Sequence, residues 1–80
     1  ELTRRETHAT ERDQFNRLSE REQAILQLIA AGYTAPEIGE RLSISPKTVD
    51  TYKQRIGEKI GLSHRADYVR FAMKLGLLSA

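Results

Sequence analysis

The side chains best suited to specific binding contacts lie on one side of a helix predicted over about 46–60. At about 100° per residue, polar and charged side chains collect on that side, and no apolar residue interrupts it. Its edges could meet phosphates and its centre could meet base edges, the contacts of a helix in the major groove of DNA. A charged outer face is also often only solvated, so both interpretations stay open. The central side chains are Lys47, Asp50, Thr51, Gln54 and Glu58, with Lys53 at one edge and Thr48, Arg55 and Lys59 at the other.

Cap signals predict where this helix begins and ends. Ser45 is a favourable N-cap, and Pro46 follows at a position where its missing N–H does no harm. Gly61 predicts the C-terminal end. The opposite side of the helix then faces a core and consists of Val49, Tyr52, Ile56 and Ile60.

A shorter helix is predicted just before it, over about residues 35–42. Thr34 and Glu37 have the spacing of a capping box at its start. Gly39 costs roughly 1 kcal/mol relative to alanine inside a helix, so its presence predicts that another backbone passes close by. Together with the turn at residues 43–44, the two helices have the pattern of a helix-turn-helix.

A scaffold helix is predicted upstream of this pair. Ser19 and Glu22 form a second capping box, and Gly32 marks the end of the helix. Leu26 lies off the centre of the apolar stripe and is expected to cover the preceding segment. The stripe itself is Ile25, Leu28 and Ile29.

A fourth helix is predicted from residue 64 or 65 to residue 75, ended by Gly76. Ser63 is the better N-cap by residue type, but His64 lies three residues before Asp67. The outward face of this helix is a candidate self-association surface. Its inward stripe is Tyr68, Val69, Ala72 and Leu75, with Leu77 and Leu78 folding back behind the glycine, and its outward side chains are Ala66, Arg70 and Met73.

Residues 1–17 are rich in charge and threonine, so they are interpreted as a linker or a loosely helical lead-in, followed by one domain over 18–80. Phe15 and Leu18 are expected to touch that domain. His8 is interpreted as a solvated residue, because no second ligand stands at a metal-like spacing. A chain that does not begin with methionine also suggests a fragment of a longer protein.

Composition limits the function classes. Eighty residues, 39% of them apolar, predict one small domain, and the absence of cysteine excludes disulfides, thiolate nucleophiles and cysteine zinc sites. No apolar run approaches the roughly 20 residues of a membrane span, so a soluble cytoplasmic protein without metal or cofactor is expected. The net charge is only +2, but residues 45–65 carry five cations against two anions, which favours a polyanion partner.

These residues resemble a known family. The run from 18 to 78 is similar to the DNA-binding output domain of LuxR/NarL-type (GerE-like) bacterial transcription regulators, many of which are two-component response regulators. The match covers about three quarters of the chain in the right order. The matching pieces are Leu18-Ser19-Glu20-Arg21-Glu22, Gly32 with Thr34, Glu37-Ile38-Gly39, Ile44-Ser45-Pro46-Lys47-Thr48-Val49, Lys59-Ile60-Gly61-Leu62, Arg65-Ala66, and Ala72 with Gly76-Leu77-Leu78.

The resemblance implies an all-α, four-helix domain that binds double-stranded DNA sequence-specifically. Its third helix would enter the major groove and its fourth would pair two copies through Ala66, Arg70 and Met73. It also implies a missing N-terminal receiver or sensor domain and RNA polymerase as a further partner. Carried over by position, it implies base contacts from Asp50, Thr51 and Gln54, and phosphate contacts from Thr34, Lys47, Thr48, Tyr52, Lys53 and Arg55.

Individual positions qualify this picture. Asp50 could accept a hydrogen bond from cytosine, but the helix dipole also favours an acid in a first turn. Gly39 replaces a commoner alanine of the family. Tyr52 and Lys53 stand where many members have histidine and an apolar residue. Gly57 replaces a usual leucine, which leaves a gap on the flank of the helix.

Three other functions are alternatives to DNA binding by a regulator of this kind. Region 4 of a sigma factor shares the opening motif but normally ends soon after its recognition helix, whereas this chain continues with a fourth helix. A helical protein-interaction module would require an exposed apolar stripe, which the third helix lacks. Catalysis by Ser63 and His64 would require an acid placed to orient the histidine, and no such acid is evident in the sequence.

Overall fold

The computed structural model describes residues 11–76. Within that range it contains five helices and no strand, which confirms the all-α prediction. The segments 1–10 and 77–80 lie outside the described residues, as do the predictions for His8, Leu77 and Leu78. None of the described helices has the length and apolar content that crossing a membrane requires. The helices are α1, helical over residues 11–17, α2 (Glu20–Ala30), α3 (Ala35–Leu42), α4 (Pro46–Ile60) and α5 (Arg65–Leu75).

The helices α2 to α5 begin where cap chemistry predicts. The Ser19 hydroxyl accepts the Glu22 backbone N–H at 3.1 Å, and the Glu22 carboxylate accepts the Ser19 N–H at 2.9 Å. Thr34 and Glu37 make the same reciprocal pair at the start of α3. Ser45 caps α4 by accepting the N–H of Thr48. Each helix start therefore satisfies N–H groups that would otherwise lack a partner.

One core holds α2, α3, α4 and α5 together, and α2 contacts the other three. The prediction for the α2 stripe was partly wrong: Leu26 is completely buried at its centre, whereas Leu28 lies only partly buried at the edge. Phe71 was missed and is buried on α5 beside Tyr68. Burial raises the pKa of the Tyr68 hydroxyl, because the charged phenolate is poorly solvated there.

The lead-in segment packs on this core. Leu18 is buried and Phe15 is partly buried against the core, which confirms that both touch the domain. The Gln23 amide of α2 donates to the carbonyls of Phe15 and Leu18 at 2.9 and 3.3 Å. It therefore provides a hydrogen-bond partner for carbonyl groups at and just after the C-terminal end of α1. Lys74 of α5 forms an ion pair with Glu11 at 3.2 Å.

A buried carboxylate joins the scaffold to α4. The side chain of Glu22 is only 4% exposed, and Lys59 of α4 reaches its Oε1 atom at 2.8 Å. Burial alone would raise the pKa of Glu22, but the hydrogen bond from Lys59 and those from Ser19 outweigh it and hold the pKa below its ordinary value. The cap of α2 and the last turn of α4 therefore share one charged group.

We expect this carboxylate to make stability depend on pH. Because its folded pKa is lowered, its contribution is complete above the unfolded pKa and is lost as the pH falls through the folded value. Replacing Glu22 by glutamine should lower the free energy of unfolding by about 1–3 kcal/mol at neutral pH and flatten its decline in acid. Urea unfolding between neutral and acidic pH measures both effects.

The matched control is Glu40→Gln, at an exposed position of α3. It should leave the stability curve close to that of the parent. Some acid dependence should remain in Glu22→Gln, because Glu37 and Asp67 also have lowered pKa values. An acid dependence as steep as the parent's would contradict the role given to Glu22.

Candidate nucleic-acid interface

The angle between α3 and α4 is set by a close backbone contact. Ser43 ends α3 in the left-handed conformation at φ 60°, and the Ile44 N–H donates to the Gly39 carbonyl at 2.9 Å. A Cβ atom on Gly39 would overlap the Ile44 carbonyl oxygen and would lie 3.4 Å from the Pro46 nitrogen. The prediction that another backbone passes close to Gly39 is therefore confirmed, and that backbone is the turn itself.

The two sides of α4 separate as predicted, with one refinement. Val49, Ile56 and Ile60 are buried in the core. Tyr52 is only half-buried, and the Arg55 guanidinium lies over its ring, 5.5 Å from the centroid. Tyr52 therefore packs on the core and still reaches the edge of the outer face.

The predicted base-contacting residues share one exposed surface. Asp50, Thr51 and Gln54 are all exposed on α4. The Thr51 hydroxyl donates to the carbonyl of Lys47 at 3.2 Å, one turn back in the same helix. Its hydrogen is thus engaged, which leaves the methyl group as its apolar contact.

Apart from the half-buried Tyr52, the predicted phosphate-contacting residues divide into two kinds. Lys47, Lys53 and Arg55 are exposed, and within residues 11–76 none of them forms an ion pair. The hydroxyls of Thr34 and Thr48 instead take part in the caps of α3 and α4, bonded to Glu37 and Ser45. The three cations are consequently the groups with charge available to an anion.

Two other cations of residues 45–65, Lys59 and Arg65, have partners within the fold. Lys59 is paired with Glu22, so part of its charge is neutralised inside the fold. Arg65 donates from Nη1 to the Gly32 carbonyl at 3.2 Å and ties the start of α5 to the loop after α2. The sequence does not reveal these partners, because each lies more than thirty residues away along the chain.

The outward face of α5 is as predicted. Ala66, Arg70 and Met73 are exposed, and Met73 is the one exposed large apolar side chain among residues 11–76, at 46%. Arg70 forms an ion pair with Asp67 at 2.6 Å. This face of α5 therefore presents the apolar side chain of Met73 beside Arg70, whose charge Asp67 balances.

His64 and its neighbours occupy the start of α5. His64, not Ser63, is the N-cap, and the Asp67 carboxylate accepts its backbone N–H at 3.1 Å. That hydrogen bond first, and the one from the Ser63 N–H as well, lower the pKa of Asp67. The interaction serves the helix start.

The structure does place an acid near the histidine, which the sequence did not make evident. The Asp67 carboxylate is 3.6 Å from His64 Nδ1, and the Ser63 hydroxyl is 3.4 Å from the same nitrogen. A catalytic triad requires the hydroxyl and the acid on opposite ring nitrogens. Ser63, His64 and Asp67 therefore lack the geometry of a catalytic triad, because the hydroxyl and the carboxylate lie at the same ring nitrogen.

Comparison with known proteins relates the chain to one family. The family described as "Bacterial regulatory proteins, luxR family" matches residues 16–72. Relatives include proteins named oxygen regulatory protein NreC from Staphylococcus aureus strains JH9, JH1 and Mu3 / ATCC 700698, each 47% identical over 66 residues. The match covers 82% of this chain and 30% of each relative, so the chain spans less than a third of their length. No solved structure gives a significant match.

Proposed function

The chain belongs to the luxR family of bacterial regulatory proteins, a family of DNA-binding transcription regulators, and from this premise we propose that it reads a specific double-stranded DNA site with α4 in the major groove. The observation that carries the proposal is the exposed face of α4. It presents Thr51 and Gln54 between Lys53 and Arg55, which form no ion pair within residues 11–76, while the apolar side of the helix is buried.

This face suits the two tasks of a reading helix. Lys47, Lys53 and Arg55 can contact phosphates on either wall of the groove and fix the position of the helix. Gln54 can pair bidentately with adenine, and the Thr51 methyl can contact a thymine methyl. Asp50 would accept from cytosine if it approached a base edge.

We further propose that the chain is the output domain of a response regulator. The relatives that share about half of its aligned residues are named as regulators, and the aligned part makes up 30% of their length. A receiver or sensor domain on the same polypeptide would then control when this domain binds DNA.

Two alternatives fit the structure less well. A promoter-binding domain like region 4 of a sigma factor has little use for α5, which here contributes buried Tyr68, Phe71 and Ala72 to the core. A protein-interaction module would need an exposed apolar stripe, and among the described residues Met73 is the only large apolar side chain that is exposed.

The positioning role of the cations predicts a salt effect. Replacing Lys53 or Arg55 by alanine should weaken binding to all duplexes alike and lower the magnitude of the slope of log affinity against log salt by about one unit each. Arg17→Ala is the control, because Arg17 is an exposed arginine of α1, away from α4 and from the proposed pairing face of α5. Slopes that stay unchanged in both variants would remove these residues from the phosphate contacts.

The reading role of Gln54 predicts a different pattern. Gln54→Ala should cost roughly 1–3 kcal/mol on the preferred site and little on random DNA. Gln27→Ala, at an exposed glutamine of α2, is the matched control and should change neither affinity. The preferred site comes from selecting bound duplexes out of a random pool at stated salt. Equal losses on both kinds of DNA would make Gln54 a positioning residue.

A single reading helix binds weakly, so we propose that α5 pairs two copies on DNA. The selected site should be palindromic, with half-sites about one helical turn apart. Met73→Glu should convert the complex of two chains per site into one chain per half-site, because it places a charge on the apolar spot. Native mass spectrometry measures the stoichiometry, with Gln27→Glu as the control. Saturation of a single isolated half-site by the parent chain would count against pairing.

A further inference from the structure

The sulfur atom of Met73 is the only one in the chain. The 80 residues include one methionine and no cysteine. Thiols and thioethers are the side chains that a peroxide oxidises, and their exposure decides which of them react. A peroxide therefore has a single sulfur target in this sequence, and its reaction depends on where Met73 lies.

Met73 lies open to solvent on the outward face of α5. It is 46% exposed, more than any other large apolar side chain among residues 11–76. The two long cations beside it, Arg70 one turn earlier and Lys74 next in the chain, are held in ion pairs with Asp67 and Glu11. A small oxidant can therefore reach the thioether while the chain is not paired.

Oxidation of this thioether requires only a peroxide. A lone pair of the sulfur attacks one oxygen of hydrogen peroxide, so that a sulfur–oxygen bond forms as the oxygen–oxygen bond breaks. A proton moves from the attacked oxygen to the departing one, which leaves as water. Sulfur loses two electrons, the peroxide gains them, and the product is methionine sulfoxide, a polar side chain without charge.

We propose that Met73 is an oxidation site at which a peroxide converts the outward face of α5 into a surface that no longer holds a second copy. The inference rests on the pairing through α5 proposed above and adds its regulation. The thioether can leave water at little cost and pack against the second copy. The sulfoxide would bury a strong hydrogen-bond acceptor in the same contact, which costs free energy unless a donor meets it.

The reading of bases by one chain is independent of this change. Thr51 and Gln54 lie on α4, whereas Met73 lies on α5, and the oxidation leaves the net charge as it was. An isolated half-site should therefore bind the reduced and the oxidised chain equally, with the same dependence on salt. Only a site that requires two copies should respond.

The first test treats the parent chain with hydrogen peroxide. Peptide mass mapping should place one added oxygen atom on Met73. Native mass spectrometry on the palindromic site should then show complexes of one chain in place of two at the same concentration, and the affinity for that site should fall roughly tenfold. Methionine sulfoxide reductases, one for each epimer, should restore the parent behaviour.

Matched variants separate this site from general oxidative damage, each compared with its own untreated sample. Met73→Leu has no sulfur, so peroxide should change neither its mass nor its stoichiometry on DNA. Adding Gln27→Met to that variant moves the sulfur to an exposed position of α2. The double variant should take up one oxygen atom, and its stoichiometry should still not change.

Pairing should also protect the sulfur of the parent chain. If Met73 lies between two copies, the palindromic duplex should slow its oxidation severalfold, whereas an isolated half-site should not. Equal oxidation rates with the two duplexes would contradict burial of Met73 between the copies.

Other results would overturn the inference and separate it from the proposed function. If peroxide left Met73 unmodified, or if the fully oxidised parent still paired with undiminished affinity, DNA binding would stand and the oxidation site would not. Loss of pairing by the oxidised double variant would show that the effect does not come from Met73. A parent chain that bound the palindrome only singly before treatment would overturn the pairing as well, and one that bound no duplex would also overturn the proposed function.

Discussion

The fold depends on a contact between two pieces of backbone. Gly39 of α3 lies so close to the turn that a Cβ atom would overlap the Ile44 carbonyl oxygen. The turn can approach only because Ser43 takes the left-handed conformation and Ile44 then donates back to Gly39. This distance sets how α4 leaves α3, and α4 carries every proposed base contact. Glycine weakens a helix interior, and here the close approach outweighs that cost.

The opposite end of α4 is held by an ion pair as well as by the buried Ile60. Lys59 reaches the buried Glu22, which at the same time completes the cap of α2 through Ser19. Two unrelated tasks, starting one helix and anchoring another, therefore depend on one carboxylate. The consequence for the interface is that Lys59, although it lies at the edge of the outer face, has less charge to offer an anion than Lys47, Lys53 or Arg55.

Local signals predicted the helices well, because caps are local. The pairs Ser19 with Glu22 and Thr34 with Glu37 are three residues apart, so their types alone predict where α2 and α3 begin. Contacts over longer separations were not predictable. Leu26 is buried at the centre of the α2 stripe because α2 packs against three helices at once, so more than one side of it is covered.

The same limit applies to the candidate site. The exposed positions on α4 follow from helical geometry and were predicted from the sequence. Whether a cation is available was not predictable, because it depends on partners such as Glu22 for Lys59 and the Gly32 carbonyl for Arg65. The gap at Gly57 was seen in the sequence only as a missing side chain, since the backbone that fills it, at Leu62, belongs to the connection after α4.

Which residues of the proposed interface can bind phosphate depends on which of them already have hydrogen-bond partners within the fold. The hydroxyls of Thr34 and Thr48 cap helices, so toward a phosphate they offer little beyond the N–H groups at those helix starts. Most of the attraction must then come from a few cations, and each contributes a term that salt weakens. A single chain with these few cations is expected to bind weakly at physiological salt, which is why we propose that two chains pair on the DNA. The proposed pairing would use the exposed Met73 of α5, which lies on a different helix from the proposed base contacts and so leaves them free for the DNA.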